Sequence, residues 1–239
     1  MDSIIRFENV SFQYPDRNFK MHNLSIEIPP GRKYAICGQN GSGKTTLLRL
    51  LMGLETADKG TITIDGTLMD KKGLKFIRQK LGFVFQNPDS QVFSASVFED
   101  VAFGPRNMGF SDEEIQSLVQ ESLEKVKMQD YSDRSPYLLS FGQKKRIAIA
   151  GVLAMDPSII VLDEPFSNLD FPSRTSLMQL LDKEVREKKK TIIFATHSRK
   201  FICEWSDYAF LLNEGDILFE GEISDLNDFH KTDMLLGPL

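Results

Sequence analysis

The sequence predicts an α/β fold with a mainly parallel sheet, an N-terminal antiparallel β layer and an inserted α-helical subdomain. Three observations predict it. A glycine-rich phosphate-binding loop, Gly38-Gln39-Asn40-Gly41-Ser42-Gly43-Lys44-Thr45, lies between an apolar strand-like run and a helix-like run. Residues 159–162 form a short, wholly apolar run, the pattern of a parallel strand buried on both faces. Residues 89–155 carry helical periodicity between two strand-rich parts. The chain of 239 residues is long enough for one such domain, with 1–88 and 156–239 as its core.

The opening alternates apolar and polar residues over 4–7, 10–14 and 24–28, as half-exposed antiparallel strands do. Pro29-Pro30-Gly31 turns the chain into residues 34–37, the strand before the phosphate loop, and 46–51 reads as a helix. Residues 60–65 and 81–85 are further strands, the second ended by Gln86. Ser111 and Glu114 make a capping box ahead of an apolar face of Ile115, Leu118, Val119, Leu123 and Val126. A second helix covers 140–154. Residues 172–188 read as a helix with Leu177, Leu180, Leu181 and Val185 as its stripe, followed by a buried strand over 191–196. Residues 208–212 and 216–219 resemble a closing hairpin.

Composition narrows the function classes. With 29 basic and 34 acidic residues the net charge is −5, and no Lys/Arg stripe is large enough for nucleic acid. Lys188-Lys189-Lys190 reads as the solvated end of a helix. No apolar stretch approaches the ~18 residues of a membrane span, and no secretory leader is expected. Cys37 and Cys203 are expected to be reduced core thiols in a cytoplasmic protein.

The loop carries chemistry. Its glycines let backbone N–H groups approach the α/β-phosphates of a nucleoside triphosphate, and the helix start adds positive potential. Lys44 is placed to reach the β/γ-phosphates and Thr45 to ligate Mg²⁺. Asp163, at the tip of a buried strand, suits Mg²⁺ held through water opposite Thr45. Glu164 beside it can polarise an attacking water as general base.

Four further elements point to a family. Leu139-Ser140-Phe141-Gly142-Gln143 resembles the Leu-Ser-Gly-Gly-Gln signature of ATP-binding-cassette (ABC) ATPases. Ser167-Asn168-Leu169-Asp170 resembles their aspartate loop, His197 their switch histidine and Gln86 their Q-loop glutamine. Tyr14 matches the aromatic that stacks on adenine. The resemblance implies ATP and Mg²⁺ as cofactors. It implies nucleotide binding by Tyr14, Gly38, Gln39, Asn40, Gly41, Ser42, Gly43, Lys44, Thr45 and Thr46. Thr45, Gln86 and Asp163 would hold the metal, and Lys44, Gln86, Glu164 and His197 would be catalytic. It further implies a head-to-tail dimer with a second ABC ATPase subunit, identical or related. Ser140, Phe141, Gly142, Gln143 and Asp170 would complete the partner's site. The local physics agrees, since a helix capped by Ser140 and Gln143 points positive potential at a phosphate outside its own subunit.

Gln86-Asn87-Pro88-Asp89-Ser90-Gln91-Val92-Phe93, residues 97–109 and residues 143–155 resemble a narrower group, the ATPases of energy-coupling-factor (ECF) transporters, including those for cobalt or nickel. That resemblance implies a place at the cytoplasmic face of the cell membrane. There the chain would work beneath a transmembrane coupling subunit carrying a substrate-capturing membrane protein, and power uptake of a vitamin or transition-metal ion. A groove formed by 86–104 would receive arginine-bearing helices of the coupling subunit, with Asp89, Glu99 or Asp100 as acidic contacts. Two residues depart from the pattern: Phe141 replaces a signature glycine, and Phe166 replaces a threonine. The stretch after Gly221 is short beside the dimerisation segment of many relatives, which leaves a nucleotide-independent dimer open. A regulatory or degenerate subunit of a heterodimer, and the ATPase of another ABC transporter type, stay open as alternatives.

Overall fold

The computed structural model describes residues 3–16, 19–226, 228–229 and 232–237. The chain begins with β1 (Ile5–Gln13), β2 (Lys20–Ile28), β3 (Lys33–Cys37), α1 (Lys44–Leu51), β4 (Lys59–Ile64) and β5 (Thr67–Leu68). β1 pairs antiparallel with β2 and β4, and β4 with β5, giving a four-stranded sheet in the order β2-β1-β4-β5. Where the alternation predicts two strands, β1 is one. Asn9 sits at φ 49 within a register shift between Phe7 and Val10. This bulge resets the period, so Phe7 and Val10, three residues apart, are both buried.

Next come α2 (Leu74–Lys80), β6 (Leu81–Val84), α3 (Val97–Met108), α4 (Asp112–Lys125), α5 (Phe141–Ala154) and β7 (Ile159–Asp163). The chain continues through α6 (Phe171–Lys188), β8 (Thr191–Thr196), α7 (Arg199–Trp205), β9 (Tyr208–Asn213) and β10 (Asp216–Glu222). Two short helices, α8 (Ile223–Leu226) and α9 (Thr232–Leu236), follow. The second sheet has the order β10-β9-β3-β8-β7-β6 and is parallel except where β10 turns back along β9.

Its strands are apolar on both sides because both sides are covered. Tyr34 and Ile36 pack with Ile5, Leu48 and the antiparallel layer, while Ala35 and Cys37 pack with the helices. β3, β8 and β7 are neighbours, with Cys37 opposite Thr196 and Ala195 opposite Asp163. The loops that follow these three strands therefore emerge side by side, the usual place for a ligand in an open α/β sheet.

Both capping boxes form: the Ser111 amide donates to Glu114 Oε2 at 2.8 Å, and the Ser140 amide to Gln143 Oε1 at 2.9 Å. Helices α2 and α3 escape a periodicity reading. In α2 only Ile77 is buried, and α3 carries Gly104 and Pro105 before ending at Gly109, φ 87. Two expectations need correction. Lys190 is not solvated: α6 ends in left-handed Lys189, and Lys190 turns inward to Glu184 Oε2 at 3.1 Å and Asp156 Oδ1 at 2.7 Å. Cys37 is a buried thiol, its pKa pushed up to about 12 by burial, but Cys203 is only half-buried in α7.

Candidate active site

β3 ends at Cys37, and residues 38–43 loop over before α1 begins. Two glycines are dictated by close approach. Gly38 has φ 144, and a Cβ there would stand 2.2 Å from the Leu212 carbonyl oxygen. Gly43 caps α1 at φ 109, where a Cβ would stand 2.6 Å from the Phe19 ring. Lys44 Nζ donates to the carbonyls of Gly38 at 2.8 Å and Gln39 at 2.9 Å, which holds the ammonium against the loop. Gln39 Nε2 donates to the Met234 carbonyl at 3.3 Å. Ser42 Oγ is buried and has no hydrogen-bond partner among the described residues.

A cavity of about 400 Å³ opens beside the loop. Asn40, Gly41, Gly43, Lys44, Thr45 and Thr46 form one wall. Gln86 after β6, Asp163 and Glu164 at the end of β7, His197 after β8, Tyr14 after β1 and Phe19 before β2 form the rest. Residues far apart in sequence thus meet because β3, β7 and β8 end together.

Thr45 Oγ1 donates to Asp163 Oδ2 at 3.5 Å. Glu164 is left-handed at φ 46, and its amide donates to the Ala195 carbonyl at 3.0 Å. Its Oε1 lies 2.7 Å from His197 Nδ1, and Thr196 Oγ1 donates to its Oε2 at 3.3 Å. The Glu164 side chain is 12% exposed and that of His197 60%, so the histidine reaches outward from a shielded carboxylate. Burial, then the Glu164 charge, raises the Asp163 pKa. Burial lowers that of Lys44, opposed by Glu164 and Asp163. Two acids and one ammonium thus share a poorly hydrated space.

The signature residues lie outside this cavity. Ser140 Oγ accepts from the Gln143 amide at 3.3 Å, so the start of α5 is closed by its own side chains. Phe141 is half-buried, with Lys145 Nζ 5.8 Å from its ring centre. Gly142 is half-buried near Leu169. Asp170 caps α6, its carboxylate accepting from the Ser173 amide at 2.9 Å. Phe166 fills a buried aromatic cluster with Phe194, Phe201 and Trp205.

The sequence matches the ABC transporter family over residues 21–167. The energy-coupling factor transporter ATP-binding protein EcfA of Carboxydothermus hydrogenoformans is 43% identical over 228 residues, 95% of this chain and 84% of that protein. The chain belongs to the ABC transporter ATPases. Within them it is of the energy-coupling-factor type, and it hydrolyses ATP. EcfA2 of Methanospirillum hungatei is 44% identical over 92% of this chain, which spans 56% of that longer protein. Among solved structures, CbiO1 of Clostridium perfringens, described as part of an ABC transporter complex, superposes with a TM-score of 0.86 at 36% identity, over 97% of this chain and 93% of that one. A dimeric ATP-binding cassette with ADP and Pi superposes with a TM-score of 0.83 at 29% identity, over 92% of this chain and 98% of that one.

The cavity of this ABC ATPase suits Mg²⁺ held as a nucleotide complex. Thr45 and Asp163 offer two hard oxygens, and no group of three or more His, Cys, Asp or Glu among the described residues is arranged to hold a metal ion by itself. A cation there would complete its shell with water and phosphate oxygens, as Mg²⁺ does. Two lining or supporting residues are given no role by the sequence motifs. Phe19 faces the loop with no motif to mark it. Lys145 lies in the charged run Lys144-Lys145-Arg146 and is 0% exposed. No helix of the described residues is long and apolar enough to cross a membrane.

Proposed function

We propose that this ABC ATPase powers an energy-coupling-factor importer of a vitamin or a transition-metal ion such as cobalt or nickel, from the cytoplasmic face of the membrane. The observation that carries the reading is a split site. Lys44, Thr45, Asp163, Glu164 and His197 share one cavity, while the signature at Ser140 faces elsewhere. Such a chain needs a second cassette to close over its nucleotide.

In this reading the amides of the loop from Gly38 to Thr46 cradle the phosphates, with Lys44 on the β/γ-phosphates and Tyr14 stacked on adenine. Thr45, Asp163 and Gln86 hold Mg²⁺, which when bound neutralises phosphate charge. Glu164 takes a proton from the attacking water as its oxygen bonds to the γ-phosphorus, and the β–γ bridging oxygen leaves with ADP. His197, with Nδ1 engaged by Glu164, keeps that carboxylate aimed and turns Nε2 to the γ-phosphate. Ser140, Phe141, Gly142, Gln143 and Asp170 act on the nucleotide of the second subunit.

Residues 89–155 form the part that meets the membrane subunit. A largely apolar groove of about 610 Å³ runs between α2, α3 and α5, lined by Leu74, Phe103, Gly104, Met108 and Val152, with Lys71, Lys75 and Arg78 also in its lining. Asp89 is paired with Lys144 at 2.6 Å and Glu99 with Arg106 at 2.6 Å. Asp100, alone of the three candidates, lines the groove. Its Oδ1 accepts from the Phe93 and Ser94 amides, and its buried Oδ2 has no hydrogen-bond partner among the described residues. In this reading Asp100 turns its carboxylate to an arginine-bearing helix seated in the groove.

Purification from native membranes tests the reading. It predicts an integral coupling protein and a smaller substrate-binding membrane protein in a complex that releases phosphate. A stable preparation of active ATPase with neither membrane protein contradicts it. Phe141 favours a second reading, a module with one competent site in a heterodimer. Turnover of the chain alone and with a paired cassette separates the two.

A further inference from the structure

Lys145 is the most deeply buried cation of α5, at 0% exposure, and among the described residues it makes no ion pair with a carboxylate. An ammonium in such a place needs all its donors used, since burying one unpaired is costly. Nζ donates to the Glu164 carbonyl at 2.8 Å and to the Gln86 carbonyl at 3.3 Å. Its remaining side faces the Phe141 ring, 5.8 Å away and one helical turn earlier, within cation–π range. One side chain thus joins three segments: the end of β7, the loop after β6 and the start of α5.

What it joins decides where Glu164 points. Glu164 is left-handed at φ 46, a conformation that persists only when its surroundings hold it. Its carbonyl accepts from Lys145 Nζ at 2.8 Å, Ser167 Oγ at 2.8 Å and the Ser167 amide at 3.3 Å. With the carbonyl tied back, the carboxylate is turned toward His197 and the cavity. Phe141, at the substituted signature position, provides the aromatic face that the ammonium meets.

We propose that Lys145 is a positioning residue for ATP hydrolysis, tying the backbone of Glu164 and the Gln86 loop to the signature helix, with Phe141 as the partner that makes the buried ammonium tenable. Movement of α5 is then transmitted to both residues through one side chain. The inference rests on Glu164 acting as the base.

The test uses the complex purified with its membrane subunits. Lys145→Met keeps length and apolarity but donates no hydrogen bond, and replacing a buried charge with an apolar residue is often neutral for folding. We expect kcat to fall by about 10–100-fold, with KM for ATP within about threefold and Tm maintained, the pattern of a misplaced base. Lys145→Gln, which still donates to carbonyls, recovers most of the rate. Phe141→Leu slows the parent complex but adds nothing in the Lys145→Met background, since the two act as one unit. Wild-type kcat in Lys145→Met, beside an inactive Glu164→Gln control, overturns the role of Lys145 and leaves the base intact. An active Glu164→Gln control overturns the base itself. If Lys145→Met fails to fold, a folded Lys145→Gln complex with kcat more than about tenfold below wild type, or a Phe141→Leu complex with wild-type kcat, overturns the proposal.

Discussion

Phe166 directly follows the Glu164-Pro165 pair. It is 3% exposed, and its ring meets Phe194, Phe201 and Trp205 at centroid distances of 6.2, 5.0 and 4.9 Å. The aromatic therefore supports the strand end that carries Asp163 and Glu164 from the side away from the nucleotide. Phe166→Ala is expected to destabilise the fold by about 3–5 kcal/mol, read from denaturant unfolding. Nucleotide affinity of the molecules that remain folded should be unchanged. At this scale the sequence was most legible where chemistry restricts residue choice. Gly38 and Gly43 admit no side chain, and the oxygens of Thr45 and Asp163 suit a hard cation. It was least legible at Lys145, where one buried ammonium lies between two surface-like cations, and at Phe19, which nothing in the sequence marks.

The helices owe their limits to local caps, and these separate stability from catalysis. Ser111 and Ser140 make the same capping box, but only Ser140 belongs to the signature. Ser111→Ala is expected to cost about 1 kcal/mol, a fall in Tm of about 2–4 °C, with ATP turnover unchanged. A fall in turnover at constant Tm would contradict the purely structural role. The groove between α2, α3 and α5 gives a second prediction. Asp100→Asn retains an oxygen for the Phe93 and Ser94 amides but removes the charge facing a docked arginine. Less coupling subunit should then co-purify, with no change in the fold, whereas Asp89→Lys, which breaks only a local pair with Lys144, should leave assembly intact. The caps were readable because Ser-x-x-Glu and Ser-x-x-Gln name their own partners. Helix α3 was not, because Gly104 and Pro105 interrupt the residue pattern while Ser96 and Gly109 still define its ends. The bulge at Asn9 divided one strand into two for the same reason, a break in period without a break in the ladder.

For the whole molecule, sheet order does the assembling. The sequence showed parallel strands through their apolar runs, but the order β3-β8-β7 is a property of pairing over long separations and left no local trace. That order collects the phosphate loop, Asp163, Glu164 and His197 at one edge and leaves the signature on another. In the proposed reading the groups gathered in the cavity act on the chain's own nucleotide, and the signature residues outside it act on that of a second cassette.

The most direct measurement compares phosphate release and Mg-ATP binding by wild type and Glu164→Gln in the complex with the membrane subunits. Removing the base is expected to slow hydrolysis by about 10²–10⁴-fold while Mg-ATP is retained with similar affinity. Unchanged turnover in Glu164→Gln, or no retention of Mg-ATP by either protein, would contradict the account.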